Sequence, residues 1–220
     1  MRRLLCAVAA AALLTVAGCG NGSDWSQPHP TPTPVGTLGA GFTDPAAPPT
    51  PEATVTPSPG SWDGIHPSKG YRVVLLHSGD DAPTKALTKG VRDWAKDEDV
   101  DLREVAADPG NPIDDIVTAM NLKPDLIVSA GNPLIDALTT VSANHLDQHF
   151  LVVGAELAEP TVNVTAADWS GASFRGEGLG MSSAYDPASF TESRCAAAIR
   201  AGVAAVLTGT TGIVLWLDKV

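Results

Sequence analysis

The chain has 220 residues, with 14 basic against 25 acidic side chains and a formal charge of −11. Neutralising phosphates takes basic clusters that this balance does not supply, which excludes a nucleic-acid partner. The only cysteines are Cys6, Cys19 and Cys195, too few for a disulfide framework.

Met1-Arg2-Arg3 forms a positive start, Leu4 to Val16 an apolar run, and Val16-Ala17-Gly18-Cys19 closes it with small residues before a cysteine. That order is the order of a lipoprotein signal peptide over residues 1–18. The apolar run is too short for a spanning helix, which takes about 20 residues. Cys19 is the expected first residue of the mature chain and its lipidation site. Two or three acyl chains, palmitate among them, anchor stably where a single chain binds only marginally. The expected location is the extracytoplasmic face of the cell membrane. Losing Arg2 and Arg3 leaves 12 basic residues against 25 acidic, a charge of −13. Cys6 leaves with the signal. Cys195, in Arg194-Cys195-Ala196-Ala197-Ala198, reads as a small buried helix residue rather than a reactive thiol.

Residues 19–69 are crowded with proline, threonine, serine and glycine, including Pro28, Pro30, Pro32, Pro34, Pro45, Pro48, Pro49, Pro51, Pro57 and Pro59. No apolar periodicity runs through them, so they are expected to form a disordered, semi-extended tether.

Residues 70–220 suit one domain. Tyr71–Leu76, Asp125–Ser129, Phe150–Val153 and Gly212–Leu217 are apolar runs of strand length, and Val100–Ala106 alternates as an edge strand would. Between them lie helical faces: Leu87, Val91 and Trp94; Ile113, Ile116, Val117 and Met120; Leu134, Leu138 and Val141. Asp81 before Ala82-Pro83, Asn111-Pro112 and Asn132-Pro133 read as helix starts, with a capping side chain beside proline. The alternation predicts an α/β fold, a three-layer α/β/α sandwich around a mostly parallel sheet with right-handed crossovers. The apolar tail Val214-Leu215-Trp216-Leu217 must join this sheet or pair with another chain.

Ligands of such sheets bind beyond the carboxyl ends of the strands. The loops there are 77–81, 130–132, 154–156 and 168–170, and Ser78, Asp80, Asp81, Asn132, Asp136 and Glu156 are the candidate ligand-binding residues. Capping and turn chemistry is the competing account of each. Convergence of Asp80, Asp81, Glu156 and Asp168 would suit a cation or an amine. No cofactor, metal site or catalytic residue is expected. His145 and His149 lack a third ligand, Gly171-Ala172-Ser173-Phe174-Arg175-Gly176 misses the nucleophile elbow, and Gly176-Glu177-Gly178-Leu179-Gly180 is not strand-led.

Pro124 to Leu138, Phe150-Leu151-Val152-Val153, Asn163-Val164 and Arg200 to Ala205 leading to Thr211-Gly212-Ile213-Val214 together resemble the basic membrane protein (BMP) family. These are substrate-binding lipoproteins of ABC transporters, with type I periplasmic-binding-protein folds that often bind nucleosides. The resemblance covers about Tyr71 to Leu217 and implies one lobe of that fold, a non-enzymatic role, and an ABC permease as partner. Two of the family's ligand-binding side chains have no counterpart. Asp80 is kept, but Ala82-Pro83-Thr84 stands where an aromatic ring would stack on a base. Gly154 stands where an aspartate would hold ribose hydroxyls. A glycine-rich insertion, about 169–189, holds Trp169, Phe174, Arg175 and Tyr185 as either a flap over the site or a variable surface loop. One lobe encloses too little of a small ligand, so a second chain completing the cleft is a further expected partner. Two functions follow: a solute-binding lipoprotein without the family's nucleoside-holding side chains, or an envelope interaction or sensor lipoprotein acting through a dimer or partner surface.

Overall fold

The computed structural model describes residues 24–172 and 174–220; the signal peptide and Cys19 lie outside them. In chain order the elements are β1 (Pro34–Gly36), β2 (Thr54–Val55), β3 (Ile65–Pro67), β4 (Arg72–His77), α1 (Ala82–Asp97), β5 (Asp101–Ala106), α2 (Pro112–Asn121), β6 (Leu126–Ala130), α3 (Ile135–Ser142), β7 (Phe150–Val153), β8 (Val164–Asp168), α4 (Glu192–Leu207) and β9 (Val214–Trp216). Single 3-10 turns at Asn132–Leu134 and Pro187–Ser189 precede α3 and α4.

Seven strands form one sheet in the order β2-β9-β8-β7-β6-β4-β5, every neighbouring pair parallel. The fold is the α/β/α sandwich that the alternation of strand and helix implies. Val73, Leu75, Val128, Leu151, Val153 and Leu215 point to one face, under α1 and α4. Val74, Leu76, Ile127, Phe150, Val152 and Val214 point to the other, under α2 and α3. Central strands buried on both faces read as continuous apolar runs, which is why they stand out in the sequence. Val164-Thr165-Ala166-Ala167-Asp168 does not stand out, because Thr165 and Asp168 interrupt its apolar run, yet β8 is wholly buried.

The order reverses between β4 and its neighbours β5 and β6, a topological switch point. One crossover departs from the expected hand. Moving from β4 to β5 places α1 on the first face, whereas moving the opposite way, from β8 to β9, also returns α4 to that face. The β8–α4–β9 crossover is therefore opposite in hand to the three helical crossovers before it. Right-handed connections dominate when a strand feeds its helix directly; here residues 169–191 carry the chain around the sheet end first. Gly90 then lets the two helices close, since a Cβ there would come within 2.9 Å of Ile199 Cδ1.

The segment read as a tether differs from that expectation from Asp24 onward. It girdles the domain: β1 pairs antiparallel with β3, and β2 pairs with β9, covering the sheet edge that the apolar tail would otherwise present. Trp25, Phe42, Trp62 and Ile65 are buried in the two cores. Isolated aromatic anchors leave no periodic signature, but each burial is worth about 2–3 kcal/mol. On α2 the buried face centres on Ile116 and Ala119, while Ile113 and Val117 face solvent.

Candidate functional site

The carboxyl ends of the strands form one pole of the molecule; five of the six candidate residues lie in the connections there, and Asp136 lies in the first turn of α3. Ser78 is buried and donates from Oγ to the Ala107 carbonyl at 2.9 Å, tying the end of β4 to that of β5. Asp81 caps α1: Oδ1 accepts from Thr84 N at 2.9 Å and Oδ2 from Thr84 Oγ1 at 2.8 Å. Asp80 points to solvent, 3.4 Å from Lys85 Nζ. Asn111 makes no such cap; its amide donates to Asp114 instead. Ser78 and Asp81 thus both serve the local structure.

Above the switch point the chain fills its own crevice. Gly154 ends β7 with φ +75°, and a Cβ there would lie 2.7 Å from Phe190 Cε1, 3.2 Å from Leu87 Cδ1 and 3.3 Å from Trp169 Cη2. An aromatic plug thus occupies the space above Gly154. Trp169 is wholly buried, meets Phe190 edge-on with ring centroids 5.0 Å apart, and donates from Nε1 to Ser189 Oγ at 2.9 Å. Tyr185 packs on Phe190 from outside at 6.0 Å. What remains is a cavity of about 90 Å³ lined by Asp81, Thr84, Gly131, Asn132, Tyr185 and Phe190. Asn132 Oδ1 is shielded there without a hydrogen-bond partner. Ligand pockets run to about 300–1,000 Å³, so this void is too small for a nucleoside.

The insertion lies over this pole, tied to α3 at one point and braced within itself at others. Glu177 N donates to Asp136 Oδ1 at 3.0 Å, Gly171 N to Ser183 Oγ at 2.7 Å, and Asp186 N to the Gly171 carbonyl at 2.7 Å. Asp136 is engaged by the cover itself. Glu156 lies apart from Asp81 and Asn132, in a lateral cavity of about 430 Å³ beside β9 and β2, lined also by Glu52, Thr54, Thr56, Arg175, Ser182 and Trp216. Its Oε1 is 3.0 Å from Arg175 Nε and accepts from Ser182 Oγ at 3.2 Å. Burial pushes its carboxyl above the usual range, against the opposing pull of Arg175 and Ser182. Asp80, Asp81, Glu156 and Asp168 do not form one cluster: Asp80 is exposed, Asp81 caps, and Asp168 is buried, accepting from Trp169 N. Among the described residues no group of three or more His, Cys, Asp or Glu is placed to hold a metal ion.

Sequence reasoning named Trp169, Arg175 and Tyr185 but missed Phe190, Ser182, Glu52 and Thr54. Phe190 carries a signal: it precedes the Thr191 cap of α4, the position of a hydrophobic staple. Glu52 and Thr54 lie in the segment read as a tether and have none. Cys195 is buried in α4, its thiol pushed up to about 11 by desolvation.

No family model matches the chain, and no curated protein does. Among solved structures, an ABC transporter system solute-binding protein from Aeropyrum pernix K1 is similar at 19% identity and TM-score 0.41, over 46% of this chain and 29% of that one. The match thus spans less than a third of that protein. A fragment from Peptoclostridium difficile 630 named as a lipoprotein gives 15% identity and TM-score 0.45, over 64% of this chain and 99% of that one. A transcriptional activator of the comK gene from Bacillus halodurans gives 21% and 0.37, over 45% and 35%. These likenesses are partial, and the fold rests on the sheet topology itself.

Proposed function

We propose that the chain is an extracytoplasmic lipoprotein, anchored through Cys19, whose α/β domain resembles one BMP lobe and acts without catalysis as an envelope interaction or sensor module. The observation that carries this reading is the plug: Phe190 and Trp169 occupy the space above Gly154, where a nucleoside-binding lobe would need its ribose contact. A lobe that fills its own crevice does not serve as half of a solute clamp. Its outward features are then those of a partner surface, with Leu179, Met181 and Tyr185 exposed on the cover.

One observation favours a second reading. The lateral cavity at Glu156 has the volume of a small-molecule site, and Glu52 beside Trp216 suits an amine, while Glu156 is paired with Arg175. Under this reading solute binding, with an ABC permease as partner, moves from the switch point to the girdle edge.

Thermal-shift measurements on residues 24–220 separate the two. Nucleosides, sugars and amino acids leave the melting temperature unchanged under the first reading. A rise with an amine that Glu52→Gln abolishes would establish the second, and a rise with a nucleoside that Asn132→Ala abolishes would overturn both. Anchoring is tested by metabolic labelling with an alkynyl palmitate, which should mark the wild-type chain and not Cys19→Ser.

A further inference from the structure

The amino end of the sheet, opposite the plugged pole, holds residues 24–29 in a clamp. Arg72, at the start of β4 and 5% exposed, donates from Nη1 to the Trp25 carbonyl at 3.3 Å and from Nη2 to the carbonyls of Asp24 and Gln27 at 3.3 and 3.0 Å. Trp25, also 5% exposed, donates from Nε1 to Asp101 Oδ2 at 2.7 Å. The Arg103 guanidinium lies 4.4 Å from the centroid of its ring. Asp125, before β6, accepts from Arg72 N at 2.8 Å and contacts His29 Nε2 at 2.8 Å. Starts of three adjacent strands thus grip one short segment through a buried arginine and a buried indole. Such groups are costly to bury unpaired.

We infer that this clamp fixes the orientation of the domain on the lipid surface: the amino end of the sheet faces the bilayer and the plugged pole faces outward. The inference rests on the anchoring of Cys19 proposed above. From Cys19 to Asp24 the chain has five residue steps, which span at most about 18 Å when fully extended. The first gripped residue is therefore held close to the acyl chains. The strands rise about 20 Å from that end to the pole, so Leu179, Met181 and Tyr185 stand on the far side of the molecule from the membrane. A flexible leash over residues 19–69 would instead give a root-mean-square reach of about 40 Å and no fixed orientation. The proline-rich segment belongs to the domain wall, and the partner of this lipoprotein meets the insertion from the side away from its own membrane.

The test uses the full lipidated chain in phosphatidylcholine–phosphatidylglycerol vesicles carrying an acceptor dye in the headgroup region. A donor dye is placed on Asp147→Cys, at the amino end of the sheet, or on Glu177→Cys, on the cover; buried Cys195 stays unlabelled. Energy transfer should be several-fold stronger from position 147 than from 177. Releasing the clamp with Trp25→Ala and Arg103→Ala together should bring the two toward equality. Equal or reversed transfer in the clamped chain, with the protein co-floating with vesicles, overturns the orientation and leaves the anchoring intact. Failure to co-float overturns the anchoring, and the orientation with it.

Discussion

The two ends of the parallel sheet are closed by different means. At the carboxyl end the closure is apolar: Trp169 and Phe190 pack into the space above Gly154, and the insertion is laced over them. At the amino end it is mixed: Trp25 enters the second core, and Arg72, Asp101 and Asp125 hold residues 24–29 by hydrogen bonds around its indole. The plug joins the core from mid-chain, so its removal is felt by the whole fold, whereas a clamp on a terminal segment can open locally. The end where this architecture ordinarily binds ligands is the one filled by core aromatic rings.

The sharpest way to break this contrast is to remove the plug. Trp169→Ala should lower the stability of residues 24–220 by about 3–5 kcal/mol, the usual cost of a buried aromatic truncated to alanine, read by urea denaturation. A loss below about 1 kcal/mol would show that the ring is not part of the core. Gly154→Asp, which sets a carboxylate against the plug, comes next. Crowding against Phe190 should cost about 1–3 kcal/mol, and an L-residue at φ +75° about 1–2 more. Adding Phe190→Ala should recover part of the crowding cost, because that ring is the nearest obstacle; no recovery would place the conflict elsewhere.

At the other end, Trp25→Ala should cost only about 1–2 kcal/mol globally, since releasing a terminal segment spares most of the sheet. Limited proteolysis should nonetheless cut within residues 24–33 much faster than in the wild type. A global loss as large as that of Trp169→Ala would erase the distinction between the ends.

The same two regions show what can be read from the sequence. Continuous apolar runs made β4, β6, β7 and β9 legible, and Asp81 announced α1, because each signal is local. The six candidate residues were legible only as a group near one pole. Whether Asp136 and Glu156 face a ligand or the chain's own insertion depends on a segment with no periodicity. The girdle was hidden for a related reason. Its order comes from Trp25, Phe42 and Trp62 entering cores built by residues far along the chain, and proline content alone reads the same in a leash and in a wall. The hand of the last crossover was likewise beyond local reading, since residues 169–191 take the chain around the pole before α4 begins.

The smallest expected effect concerns Glu156, where the cover meets the girdle. Desolvation raises its carboxyl above the ordinary 4.5 in the folded chain, so the folded state binds the proton more tightly than the unfolded one. The stability this confers is fully present below about 4.5 and is lost as pH rises through the raised folded value. Glu156→Gln keeps the neutral shape at every pH. The stability of the variant relative to wild type should therefore climb as pH increases from about 4.5 toward neutrality, measured by urea titration at closely spaced pH values. A relative stability that falls over the same range would mean that Arg175 and Ser182 outweigh burial, and that Glu156 is held as a strong ion pair instead of a carboxyl kept short of water.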